Sequence, residues 1–142
     1  MRTRLNARLD HAAIATRDPA KLRHVLGLLG LTDSGSEDVP SQGVRTYFLK
    51  PAAATTQIEI LDPIDPEGVI AKFLARKGSG IHHISFQVDG LDALCEELRA
   101  NSVRLVYETP QVGAHHTRVN FIHPESTGGI LIEIAEVLAQ RT

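Results

Sequence analysis

Gly80-Ile81-His82-His83-Ile84-Ser85-Phe86-Gln87-Val88, in the middle of the chain, restates a run near its beginning, Leu9-Asp10-His11-Ala12-Ala13-Ile14-Ala15-Thr16. Both alternate on a period of two, as half-buried strands do, and both carry a histidine at the matching place. Each then meets an acidic residue suited to starting a helix, Asp18 before Pro19 in the first copy and Asp89 in the second. Two more pairs recur in the same order. Tyr47-Phe48-Leu49-Lys50-Pro51 answers Asn120-Phe121-Ile122-His123-Pro124, and Gln57-Ile58-Glu59-Ile60 answers Leu131-Ile132-Glu133-Ile134. The separation grows by a single residue at each step, as it does when two copies of one unit differ by small loop insertions. The chain reads as doubled, with module 1 over about 8–63, a linker helix over about 66–78 and module 2 over about 80–137, all within a single domain spanning 1–142.

Doubling has a chemical consequence. Side chains of a strand alternate between faces, so His11 shares a face with Leu9, Ala13 and Ala15, and His83 shares one with Ser85 and Gln87. Glu59 lies opposite Ile58 and Ile60, and Glu133 holds the equivalent place. A carboxylate on the inner face of a sheet is costly to bury alone, and a divalent cation is the partner that also accounts for the histidines. His11, Glu59, His83 and Glu133 are therefore expected to hold one divalent metal ion per chain. Two imidazoles and two carboxylates suit Co²⁺, Mn²⁺, Ni²⁺, Fe²⁺ or Zn²⁺ better than Ca²⁺ or Mg²⁺, and do not choose among them. Four protein ligands on an ion that accepts five or six leave positions for substrate oxygens, which is a catalytic arrangement. A lone histidine on a strand is more often structural, and His24, His82 and His123 are read so.

Composition narrows the classes. At 142 residues the chain can bury a real core, and a formal charge of -2 gives no electrostatic footprint for nucleic acid or an anionic membrane. A single cysteine, Cys95, rules out an internal disulfide framework and sits on an apolar helical stripe with Leu91, Leu94 and Leu98, where it reads as core. No apolar run approaches the roughly 20 residues of a membrane helix. The opening Met1-Arg2-Thr3-Arg4-Leu5 lacks the apolar heart of a secretory signal, and the protein is expected to be cytoplasmic.

Each half reads as strand, helix, then three strands, an α+β pattern. Asp18 and Pro19 open a helix that Gly30 ends. Thr32 to Gln42, polar and turn-rich, is expected to be a loop or weak edge strand covering the site, with strands following at about 44–50 and 56–61. In the second half a helix starting at Asp89 precedes strands at about 103–107, 117–123 and 130–136.

These motifs resemble the vicinal oxygen chelate superfamily, which includes glyoxalase I, extradiol dioxygenases and fosfomycin-resistance proteins. Within it the chain is most similar to the methylmalonyl-coenzyme A epimerase family, over nearly its whole length. The matching stretches include Asp10-His11-Ala12-Ala13-Ile14-Ala15, Pro40-Ser41-Gln42-Gly43-Val44, Ile58-Glu59-Ile60-Leu61-Asp62-Pro63, Gly80-Ile81-His82-His83-Ile84, Pro110-Gln111-Val112-Gly113-Ala114-His115 and His123 through Glu133. The resemblance implies two tandem βαβββ modules forming a cupped mixed sheet around a metal site, with ligands on His11, Glu59, His83 and Glu133. It implies a homodimer that binds an acyl-coenzyme A substrate and moves the α-hydrogen of a 2-carboxyacyl thioester, methylmalonyl-coenzyme A or ethylmalonyl-coenzyme A, between its two faces. Glu133 would take the proton, and Gln42, Thr46 and His115 would contact substrate. The chain departs from the family at Thr46, where some members keep a second glutamate, and at Glu125, where a lysine is common. The competing expectations are a glyoxalase I-type isomerase using the same metal and Glu133, and a ligand-binding protein of this fold without turnover.

Overall fold

A computed structural model describes residues 6–139. Two compact units share the described residues: one comprises Asp10–His82, the other residues 6–9 and 83–139.

The first unit is built on β1 (Arg8–Ala15), α1 (Pro19–Leu28), β2 (Thr32–Val39), β3 (Val44–Lys50), β4 (Gln57–Pro63) and α2 (Val69–Lys77). The second follows with β5 (Gly80–Gln87), whose first residues still belong to the first unit, then α3 (Leu91–Ala100), β6 (Gln111–Gly113), β7 (Thr117–Ile122) and β8 (Ile132–Val137). Strand order is β2-β3-β4-β1 in one and β5-β8-β7-β6 in the other. In both, the first strand runs parallel to the last, and the other pairings are antiparallel. One βαβββ topology thus occurs twice, as the repeated sequence requires. Among the described residues no helix is long and apolar enough to cross a membrane.

Local chemistry sets the elements. The Asp18 carboxylate accepts the Lys21 N–H at 3.1 Å and Pro19 fills the first helical position, so α1 begins where expected. The second copy differs: Asp89 stays outside the helix, and Gly90, at φ 67°, occupies the cap of α3. Gly43 turns the chain from a short 3₁₀ segment, Pro40–Gln42, into β3 at φ 63°. A Cβ there would stand 2.8 Å from the Asp65 Cβ, and the Gly43 carbonyl accepts the N–H groups of Ile64 and Asp65. Only glycine permits that approach, so the turn fixes where Gln42 sits.

Of the two forms expected for the polar segment after α1, the edge strand is the one that occurs, over Thr32–Val39. It pairs with β3 across a bulge between Asp33 and Ser36. Its polar residues are tolerated because an edge strand exposes them. The expected strand over 103–107 is reduced to an isolated bridge between Leu105 and Ile122. There the Asn120 side chain takes the place of a neighbouring strand, accepting the Tyr107 N–H at 3.0 Å and donating to its carbonyl at 2.9 Å. Arg99 binds the carbonyls of Tyr107 and Glu108, and the ladder resumes only at β6. The expected loose opening, Met1–Leu5, lies outside the described residues.

In the second unit, α3 lays Leu91 and Cys95 against Val88 and Ile134, with Phe86, Leu98 and Ile122 at the margin. Burial pushes the Cys95 thiol pKa up, consistent with a packing role. Leu91 is fully buried. Leu91→Ala is expected to cost ~2–5 kcal/mol, since lost transfer energy and a residual cavity add. A lowered urea midpoint checks this.

In the first unit, His82 packs edge-on against Phe73, ring centroids 5.0 Å apart. Burial, then the charges of Arg76 and Lys77, brings its pKa down to about 4, which keeps the ring neutral. The unfolded chain binds a proton near pH 6.5 that the folded chain refuses until about pH 4. Stability from this group is therefore full above pH 6.5 and lost as pH falls through the interval, by on the order of 3 kcal/mol. In His82→Gln the slope of unfolding free energy between pH 6.5 and 4 is expected to flatten relative to wild type.

Candidate metal centre and proton-transfer site

Register decides which side chains meet, because residues paired across neighbouring strands point to the same face. In the first unit β1 and β4 pair His11 with Gln57 and Ala13 with Glu59, while β3 and β4 pair Phe48 with Glu59 and Thr46 with Leu61. One face therefore carries His11, Glu59, Thr46 and Phe48. His11 Nδ1 lies 2.7 Å from Glu59 Oε2, and their side chains are only 7% and 13% exposed. Asp10 Oδ2 is also 2.7 Å from the same nitrogen. Asp10, His11 and Glu59 form a group whose donor atoms all lie within 4.8 Å of one another.

The second unit repeats this with a difference. His83 and Glu133 are both buried, and their donor atoms lie within 4.8 Å of each other. Phe121 pairs with Glu133 as Phe48 pairs with Glu59, and its ring meets that of His83 edge-on at 5.6 Å. The difference is Ser85. It stands across from Glu133 where Ala13 stands across from Glu59, and its hydroxyl donates to Glu133 Oε1 at 2.7 Å, with Ser85 wholly buried. One carboxylate oxygen is thereby fixed. Tyr107 feels the same group: burial first, then the Glu133 charge, raises its phenol pKa.

A divalent ion fits these donors. Bonds of roughly 2.0–2.2 Å to imidazole nitrogen and carboxylate oxygen place neighbouring ligand atoms roughly 3 Å apart, close to the separation of His11 Nδ1 and Glu59 Oε2. Each unit holds a buried imidazole–carboxylate pair, and these are donor types that borderline first-row dications take.

The other expected site residues fall in several places. Thr46 is buried on β3, on the face of Glu59, and Gln42 ends the 3₁₀ turn before that strand. His115 is exposed, with His116, in the turn between β6 and β7, both at φ 54°. That positive φ matches the tight hairpin turns that asparagine and glycine usually occupy. Asp10 was not foreseen as a partner of His11, since adjacent strand residues point to opposite faces. Ser85 was placed on the right face, but its bond to Glu133 needs the β5–β8 register. Glu125 is exposed and paired with Arg104 at 2.6 Å.

Comparison with known proteins places this geometry. The profile of the Glyoxalase/Bleomycin resistance protein/Dioxygenase superfamily matches residues 10–121. Human mitochondrial methylmalonyl-CoA epimerase is 34% identical over 131 residues, covering 91% of this chain and 73% of the human protein. The ethylmalonyl-CoA/methylmalonyl-CoA epimerase of Cereibacter sphaeroides is 34% identical, covering 92% of this chain and 98% of that one. The crystal structure of methylmalonyl-CoA epimerase from Mycobacterium tuberculosis superposes with a TM-score of 0.87 at 40% identity, covering 92% of this chain and 88% of that one. With the superfamily profile spanning residues 10–121, which include His11, Glu59 and His83, and relatives beyond 30% identity that align with nine-tenths of the chain, the chain belongs to the methylmalonyl-CoA epimerase family of the glyoxalase superfamily.

Proposed function

We propose that this protein is an isomerase that interconverts the (2R) and (2S) forms of methylmalonyl-CoA, and accepts ethylmalonyl-CoA, with one divalent ion held jointly by His11, Glu59, His83 and Glu133. The observation that carries the reading is the repeated buried His–Glu pair, in which only Glu133 has a serine donor fixing one of its oxygens. When bound, the ion supplies Lewis-acid stabilisation of the negative charge that develops on the thioester oxygen as the α-proton leaves.

The chain's residues do the rest. Glu133 removes the α-proton, with Ser85 keeping Oε1 in place so that the other oxygen can face the carbon. Phe121 and Tyr107 limit water around it, which strengthens the carboxylate's interactions. Gln42, Thr46 and His115 contact the acyl portion, Gln42 being positioned by the turn at Gly43. The family relationship also supports a homodimer. Val25 and Leu28 on α1 and Leu29 just after it, all exposed, offer apolar surface for association, and sedimentation equilibrium tests it.

Deuterium incorporation into each separate enantiomer in D₂O, with and without chelator, tests the activity. Metal-dependent exchange with appearance of the opposite enantiomer is expected. Turnover of a hemithioacetal in its place would identify a glyoxalase-type isomerase, and binding without exchange a non-catalytic protein. Ser85→Ala is expected to lower kcat about tenfold while metal stays stoichiometric, because a carboxylate oxygen in a buried site loses its donor, worth ~1.4 kcal/mol. Undiminished kcat would remove Ser85 from the site.

A further inference from the structure

Inversion at carbon has a balance to satisfy: if Glu133 takes the proton from one side, an acid must deliver a proton to the other. Thr46, buried on the face of Glu59, has a hydroxyl far too weakly acidic or basic for this on its own. The register of the edge strand supplies a candidate. Glu37 on β2 pairs directly with Thr46 on β3, and Thr46 pairs with Leu61, two residues along β4 from Glu59. Directly paired residues face the same way with Cβ atoms about 5 Å apart, so Glu37 stands on the face that carries Thr46, Glu59 and His11. Its neighbours confirm the direction. Ser36 and Asp38 are exposed while Glu37 is half-buried, and Asp38 on the opposite face is taken by Arg45 at 2.7 Å.

We infer that Glu37 is the second acid/base of the epimerisation, reaching over Thr46 to serve the face of the α-carbon that Glu133 does not. The inference rests on the proposed activity. In one direction the Glu133 carboxylate accepts the α-proton, the C–H electron pair passes into the enolate, and the Glu37 carboxyl gives its proton to the α-carbon. Water then reprotonates Glu37 and takes the proton from Glu133, which restores both groups with no net change. In the other direction the two exchange roles. Thr46 lies between Glu37 and Leu61, two residues along β3 from the Phe48 that pairs with Glu59, with a side chain short enough for the longer one to pass over.

Exchange of the α-hydrogen with D₂O, followed separately from each enantiomer and alongside bound metal, is the test. In Glu37→Gln, epimerisation and exchange from one enantiomer are expected to fall at least a hundredfold. Exchange from the other enantiomer persists, since Glu133 can take a proton and return a deuteron to the same face. Placing the carboxylate on the neighbouring strand, in Glu37→Gln/Thr46→Glu, is expected to recover exchange from the silent enantiomer at least tenfold. Epimerisation by Glu37→Gln within threefold of wild type would overturn the assignment. So would equal loss of exchange from both enantiomers with metal retained, or a double variant no better than the single. Wild-type protein that, loaded with metal, exchanges neither enantiomer would instead overturn the proposed activity.

Discussion

Glu133→Gln, assayed at saturating metal, is expected to lose exchange of the α-proton from one enantiomer by at least about a thousandfold. A positioned base contributes roughly 10²–10⁴ in rate, and an amide cannot accept the proton. The substitution keeps the shape of the side chain, and the Ser85 hydroxyl, 2.7 Å from Glu133 Oε1, can still donate to an amide oxygen, so the sheet around it stays intact. Exchange from the opposite enantiomer depends on the other base and is affected far less. Glu59 provides the internal comparison. It occupies the same place in the first unit but faces Ala13 rather than a hydroxyl, so Glu59→Gln is expected to weaken metal binding without singling out one enantiomer. Mass-spectrometric deuterium counts on each enantiomer, with metal content measured on the same samples, separate these outcomes. Exchange within tenfold of wild type from both enantiomers in Glu133→Gln would exclude it as the base.

The sequence carried the parts of this site that depend on alternation and repetition. His11, Glu59, His83 and Glu133 could be placed because a period of two assigns each to a face, and because the second copy tests the first. Parts that depend on register could not be read. The bond between Ser85 and Glu133, the pairing of Glu37 with Thr46, and the approach of Asp10 to His11 all arise from how one strand slides against another, or from a departure from simple alternation. The edge strand β2 was ambiguous for a related reason. Its composition, Thr32-Asp33-Ser34-Gly35-Ser36-Glu37-Asp38, is that of a loop, and its pairing with β3 comes from the neighbour rather than from its own propensity. The lost strand near 103–107 shows the reverse. Leu105 and Tyr107 have strand-like spacing, but the buried Asn120 side chain meets the Tyr107 backbone, and the ladder does not form there.

Metal content gives the second large effect. His83→Ala and His11→Ala are each expected to abolish stoichiometric metal, and activity with it. Each deletion leaves one unit with a carboxylate and no imidazole, and the remaining oxygen-rich set favours harder ions that keep their water. His82→Ala and His24→Ala are expected to retain the metal. His82 is turned against Phe73 and stays neutral for reasons of burial, and His24 is exposed on α1. The neighbouring pair His82–His83 is thus a sharp control, since one position separates a side chain packed on an aromatic ring from one grouped with Glu133. Affinity is also expected to fall as pH drops, because only an unprotonated imidazole offers its lone pair and binding must displace the proton. Titration with Co²⁺ followed by its visible absorption reads occupancy without relying on turnover. One equivalent of tightly bound metal in His83→Ala would sink the shared four-residue site, and loss of metal in His82→Ala, with the fold intact, would move the ligand to the adjacent position.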